Sequence, residues 1–262
     1  MTELNFSERE LDFMINDMVD AQAQAMPVLR SSLLDLQDQI ADEQRGSFRA
    51  SRRTIIMAGG LTVGGLALAA CGSSSKKSGA TGSGASTAPA AADGKLTGDF
   101  RVVGLAAALE NAAVFAYGEG IKAATAGKLG DVPKVVVKFA TTAMAQHKEH
   151  GLAWNGFLQS NGKKAITDIP LTIVPDVQKG LAAVKDVPGL ATFALGLEEI
   201  AAATYITGAA GVSVPAGVAT TLSIAPVEAQ HAAILRFVLG KYPVPDALYN
   251  IKPAVGPDIF TG

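Results

Sequence analysis

From residue 95 onward, apolar positions recur with a helical period in four alanine-rich stretches punctuated by Gly and Pro. The spacing predicts a helix from about Gly98 to Ala126, stopped by Gly127, and a second from an Asp131 cap, with Pro133 in its first turn, to about Ser160 before Gly162. A third runs from an Asp186 cap, with Pro188, to about Ala210, and a fourth from a Ser213 cap, with Pro215, to just before Gly240. Residues 162–186, containing a short helix led by Pro175, separate the two pairs, whereas the connections within each pair are short. Two short links around one long one are the connectivity of an all-α four-helix bundle, two helical hairpins joined by a crossover. Pro226 lies inside the fourth helix and predicts a kink or a displaced start there. The folded unit is thus residues 95–241, followed by a Pro-rich tail, 242–262.

Upstream, residues 1–50 form an acid-rich amphipathic extension. Leu11, Ile15, Met18 and Val19, then Leu29, Leu33, Leu34, Leu36 and Ile40, recur at helical spacing and predict one or two helices broken near Pro27. The extension is either a handle for a cytoplasmic chaperone or an extended start. Residues 51–71 read SRRTIIMAGGLTVGGLALAAC: Arg52 and Arg53 behind Ser51, an uncharged run, then Leu68-Ala69-Ala70-Cys71. This resembles a twin-arginine export signal ending in a lipobox, in which small residues before a cysteine mark cleavage and lipidation. Met57 stands where such signals commonly carry Lys. A coincidental apolar run aside, the other reading is an uncleaved membrane anchor over 54–71, slightly shorter than the roughly 20 residues of a spanning helix. Either reading places residues 72 onward outside the cytoplasm, in the periplasm or at the cell surface. The resemblance implies contact with the twin-arginine export machinery, membrane attachment through lipid on Cys71, and a cofactor loaded before export. Residues 72–94, rich in Ser, Gly, Ala and Pro, are a flexible linker.

Composition narrows the choice of function. With Lys+Arg 22 against Asp+Glu 24 and no basic stripe, the chain lacks the charge of a nucleic-acid binder. A lone cysteine, Cys71, excludes a disulfide framework, a zinc ribbon or a cysteine-held iron–sulfur cluster within one chain.

The sharpest feature is an internal repeat. Leu109-Glu110 in the first helix is followed by Tyr117, and Leu197-Glu198 in the third by Tyr205, each seven residues beyond the glutamate. His147-Lys148-Glu149-His150 in the second helix matches Glu228-Ala229-Gln230-His231 in the fourth, with a leucine eight residues past the last histidine in both. All 3 histidines of the chain fall on these repeated positions. Glu110 is the sole charge between Arg101 and Glu119, and a carboxylate amid alanines and leucines needs a cation or donor to meet it. Residues at i and i+3 share a helical face, so Glu228 with His231, and His147 with His150, can reach one ion or two adjacent ions.

Over residues 98–240 this pattern resembles the ferritin-like superfamily, whose bundles take one Glu from each of two helices and Glu-x-x-His from the other two around iron or manganese. The resemblance implies Glu110 and Glu198 as single carboxylates, Glu228 as a bridging carboxylate, and His150 and His231 as terminal imidazoles. His147 stands where the family has its second bridging glutamate. That departure leaves three alternatives: a dinuclear iron or manganese site, a mononuclear one, or a zinc site selected by imidazole. A metal-free polar network of the same residues is the structural alternative. Tyr117 and Tyr205 read as core aromatics with satisfied hydroxyls, with redox relay or a hydrogen bond to a metal ligand as the functional readings; Trp154 reads as core, and Glu149 as solvent-facing. Activity on ferrous iron or peroxide is implied by resemblance alone, and the rivals are a non-catalytic envelope scaffold and a metal-carrying lipoprotein. A homodimer stays open, and nothing resembles a closed cage.

Overall fold

The computed structural model describes residues 6–58 and 95–262. Cys71 and the 72–94 linker lie outside the described residues, and Arg52 and Arg53 fall in the last turns of a helix whose backbone alone is described there. The described chain is all-helical: α1 (Glu8–Ala58), α2 (Asp99–Thr125), α3 (Lys134–Ser160), α4 (Val174–Ala182), α5 (Val187–Ala209), α6 (Pro215–Val238) and a 3-10 turn, Pro257–Ile259. An isolated antiparallel bridge between Leu171 and Phe260 is the only β pairing among the described residues.

The four predicted bundle helices appear as α2, α3, α5 and α6, and the Pro175 helix as α4 in the crossover. Asp186 caps α5, its Oδ1 accepting from the Gly189 N–H at 2.8 Å. The other two predicted caps differ. Pro133 itself occupies the N-cap of α3, and Val214 that of α6, neither with a side-chain cap. Ser213 is instead used between helices: its N–H and hydroxyl donate to the two oxygens of Asp99 at 3.0 and 2.9 Å, tying the start of α6 to the start of α2.

α2 packs on α3 and α5 on α6, the two hairpins meet along α2 and α5, and α1 lies against both α3 and α6. The expected break at Pro27 is absent: α1 is one helix of 51 residues. Leu11, Ile15, Met18, Gln22, Met26, Leu29, Leu33, Leu36 and Ile40 form a single buried stripe that stays in phase across the proline. Pro27 faces solvent, as does Ala23, whose carbonyl loses its helical partner, so the freed group is open to solvent while packing holds the helix together. Pro226 is accommodated in the same way, exposed on an unbroken α6 with Leu222, whose carbonyl it frees, also exposed. Val19 and Leu34, which the spacing also admits to the stripe, are 46% and 65% exposed.

The tail is docked. Phe260 is buried against Leu105, Ala108 and Leu171, and the Arg101 guanidinium donates to the carbonyls of Pro257 and Phe260 at 2.7 and 2.9 Å. Gly104 makes room, since a Cβ there would lie 2.6 Å from Leu96 and 2.8 Å from the Phe260 ring. Phe260→Ala is expected to lower stability by about 3–5 kcal/mol in a denaturant titration, because the emptied site is walled by helix and crossover that cannot collapse into it.

Candidate metal centre

The midpoints of the bundle helices bring six polar side chains into one apolar interior. Glu110, His147, His150, Glu198, Glu228 and His231 are each at most 2% exposed. α2 contributes Glu110, α5 contributes Glu198, and the i, i+3 pairs come from α3 and α6. Gly151 lets α3 approach α2 at this level, where a Cβ would stand 3.3 Å from that of Glu110.

The ligand atoms form two groups: Glu110, His147, His150 and Glu228, and His147, Glu198, Glu228 and His231, the atoms of each lying within 4.8 Å of one another. His147 and Glu228 belong to both. His147 is the hub: its Nδ1 lies 2.9 Å from Glu110 and 3.7 Å from Glu228, and its Nε2 lies 3.1 Å from Glu198. Burial pulls His147 toward neutrality, but Glu228 and Glu198, with hydrogen bonds to Glu110 and Glu198, hold it well above the ordinary imidazole range. An imidazolium therefore sits where the resemblance places a second bridging carboxylate. Burial opposes the charge on His231 likewise, and Glu198 and Glu228 raise it from 6.5 to about 9. Against their own burial, Glu198 is lowered by His147 and His231, and Glu228 well lowered by His147, His150 and His231.

Five ligand atoms have no hydrogen-bond partner although fully enclosed: His150 Nδ1, Glu198 Oε2, both oxygens of Glu228 and His231 Nδ1. Three of them converge, with His231 Nδ1 3.4 Å from Glu198 and 3.3 Å from Glu228. That is about the separation of two ligands bonded at about 2.0–2.2 Å to one ion. Two carboxylates and an imidazole, buried and met on these atoms only by one another at ion-pair distance, are a donor set that a divalent transition-metal ion fits. The other group is less open, since one Glu110 oxygen accepts from Tyr205 and the other meets His147.

A second layer of groups orients these ligands, and it crosses the repeat. Tyr117 of α2 donates to Glu198 of α5 at 2.5 Å, and Tyr205 of α5 donates to Glu110 of α2 while accepting from Trp154 Nε1 at 3.0 Å. Burial and then the nearby glutamates push both phenols well above their ordinary range, so they stay protonated donors. The tyrosines are thus buried core residues and also partners of the site carboxylates, and Glu149 is exposed as expected.

Two glutamines complete the layer, and the motif reading does not include them. Gln146 Oε1 accepts from His231 Nε2 at 2.7 Å, and its amide donates to the Met18 carbonyl of α1 at 3.1 Å. Gln22 of α1 meets His150 Nε2 with its amide nitrogen at 3.2 Å and its amide oxygen at 3.3 Å, and donates to Glu149 at 3.2 Å. Both of these imidazoles are therefore held through Nε2 by a glutamine amide, with Nδ1 turned to the carboxylates, and α1 supports both. Gln22 had a signal in the sequence: it interrupts the apolar stripe of α1, four residues from Met18 and four from Met26.

The profile of the ferritin-like domain family matches residues 98–241. No curated protein and no solved structure gives a significant match. The match spans α2 to α6, more than half of the chain, and covers all six buried glutamates and histidines and both tyrosines; the chain belongs to the ferritin-like domain family.

Proposed function

We propose that this chain is an exported metal-binding protein that holds one divalent ion, iron or manganese, at Glu198, Glu228 and His231 near neutral pH. The convergence of three enclosed ligand atoms with no hydrogen-bond partner carries this reading. Carboxylate-rich donors suit iron and manganese, and the imidazoles keep zinc as a competitor. A second ion at Glu110, His150 and Glu228 requires His147 to give up its proton and its bonds to Glu110 and Glu198. Bound iron or manganese supplies redox chemistry toward ferrous iron, dioxygen or peroxide. The protein's own part is to keep the site dry, to hold the carboxylates with Tyr117 and Tyr205, and to keep a proton on His147 between Glu110 and Glu198.

The test is to load the full chain with ferrous iron or manganese and follow consumption of dioxygen and peroxide, with Glu198→Gln as control. Turnover that disappears in the variant is the expected result. Metal held without turnover would move the reading to a carrier or sensor. The non-catalytic scaffold is favoured by one observation, that His147 satisfies Glu110 and Glu198 without any ion. A folded chain that stays empty in excess metal would establish it.

Protons compete with the metal. The His231 pKa rises from 6.5 to about 9 on folding, so its contribution to the metal-free fold is complete below about pH 6.5 and is lost as pH climbs through about 9. The metal-free chain should therefore melt several degrees lower at pH 9.5 than at pH 6.5. Metal affinity should rise over the same range, with proton release on binding seen by calorimetry in buffers of different ionisation enthalpy.

Export and lipid attachment through Arg52, Arg53 and Cys71 belong to the same proposal, resting on the signal-like sequence. Export through this signal would leave α1 on the opposite side of the membrane from the bundle, so the exported domain would lose the contacts that Gln22 and Met18 make to His150 and Gln146 in the full chain. Mass spectrometry of the membrane fraction decides: a chain starting at lipidated Cys71 supports processing, and one retaining residues 1–58 supports an uncleaved anchor.

A further inference from the structure

The bundle is finished on one side and not on the other. α1 covers α3 and α6, whereas α2 and α5 carry long apolar stretches that stay only half buried and 39% buried. Between them lies a cavity of about 340 Å³, reaching from the crossover helix α4 to the buried His147 and Glu198. Small residues create the space: Ala113, Ala116, Ala140, Ala191 and Ala194 stand on its wall with Gly120, where a packed core would place larger side chains. The charged groups on the wall fall at two places, the exposed Asp176 of α4 and the buried pair His147 and Glu198, with the Tyr117 hydroxyl donating to Glu198.

We infer that this cavity is a binding site for a single uncharged aliphatic chain of about ten to twelve carbons, entering past Asp176 and ending beside His147 and Glu198. The size follows from comparison with apolar cavities of about 150 Å³ that hold benzene, and 340 Å³ lies within the range of ligand sites. The absence of charge follows from the wall, which offers a carboxylate at each end and no lysine or arginine along it. A fatty acid would bring its own carboxylate to one anionic end or the other and find no unpaired cation, because both nitrogens of His147 are already taken by Glu110 and Glu198, whereas an uncharged chain loses far less on leaving water. Bound there, the chain would keep water from the Glu198 side of the cluster and present one carbon to it. That link to reactivity rests on the metal-centre reading, but the binding itself does not.

The test is calorimetric titration of the metal-free full chain with 1-decanol and with decanoate, repeated on Ala113→Leu and Ala194→Leu, which narrow the cavity from α2 and α5. Thermal melts confirm that each variant is folded. Uptake of one decanol per chain, at least tenfold weaker binding of decanoate, and loss of uptake in both variants is the expected result. Equal binding of the two probes, or uptake unchanged by the leucines, overturns the assignment. So does no uptake by a folded chain that sediments as a dimer and is made monomeric by Ile121→Asp, which would give the face to a second copy. Uptake only from decanol-free lipid vesicles would give it to a membrane instead. Because no metal is present in the titration, failure of the metal reading leaves the outcome untouched.

Discussion

His147→Glu will raise the metal capacity of the chain from one ion to two and, with metal removed, will make the fold less stable than the wild type. The two effects share a cause. His147 is the internal cation for Glu110, Glu198 and Glu228, which it meets at 2.9, 3.1 and 3.7 Å. Three carboxylates against two divalent ions leave a net +1, and a fourth carboxylate balances the site and supplies a second bridging group. Without ions, the same substitution leaves four buried carboxylates with the central imidazolium gone. Breaking a buried charge pair costs about 3–5 kcal/mol, and for a domain of this size that is a drop of roughly 10 °C in melting temperature. Metal-to-protein ratios by mass spectrometry and melts with and without metal read both signs. A variant that binds no second ion, or that melts like the wild type when empty, would show that His147 does not control the site.

In the chain that keeps α1 against the bundle, Gln22→Leu will lower metal affinity of the weaker group, Glu110, His150 and Glu228, by about 10–100-fold while the helices stay intact, the loss typical of removing an outer partner from a ligating histidine. Gln22 sits in the buried stripe of α1, so leucine packs in its place; what vanishes is the amide between His150 and Glu149. His150 then loses the bond that turns its Nδ1 toward Glu110 and Glu228. Gln146→Leu should act on His231 in the same direction and more strongly, because its bond is 2.7 Å and it serves the group with three unsatisfied ligand atoms. Gln22→Glu is the informative control. It keeps an acceptor for His150 but repels Glu149, so it should retain most of the affinity if orientation of the imidazole is what matters. Isothermal titration with manganese separates the outcomes, and affinity unchanged in both leucine variants would remove α1 from the account of the site.

The bundle and its buried cluster of glutamates and histidines were legible in the sequence because both are periodic. Alanine-rich segments ending in Gly127, Gly162 and Gly240 mark helices by spacing and stop signals, and the repeat of Leu-Glu and of the four-residue histidine motif marks which faces meet. The position of Glu110 followed from the cost of a lone charge in an apolar helix, and that of Glu198 from the repeat of Leu-Glu. What the pattern could not show is which polar atoms remain unpaired. That His147 uses both nitrogens on carboxylates, while His150 Nδ1 and His231 Nδ1 find no hydrogen bond, depends on rotamers and on distances of a few tenths of an ångström. The role of α1 was hidden for another reason. Its stripe reads as amphipathic, but amphipathicity does not name a partner, and Pro27 argued locally for a break that long-range packing overrides. The cavity was hidden because alanines on one helix read as helix formers, and the space between them exists only once α2 and α5 are side by side.

In the proposed function Glu198, Glu228 and His231 hold an ion. The most direct measurement is the metal content of the full chain, stripped, reloaded with iron or manganese and freed of excess, beside Glu228→Ala and His231→Ala. Glu228 faces both ligand groups, so its loss should empty the protein, whereas His231→Ala should take away the one tightly held ion and leave at most weak binding at Glu110 and His150. About one ion per wild-type chain, and less than a tenth of that in Glu228→Ala with the helical signal unchanged, is the predicted result. A folded wild-type chain without metal, or Glu228→Ala retaining as much metal as the wild type, would contradict it.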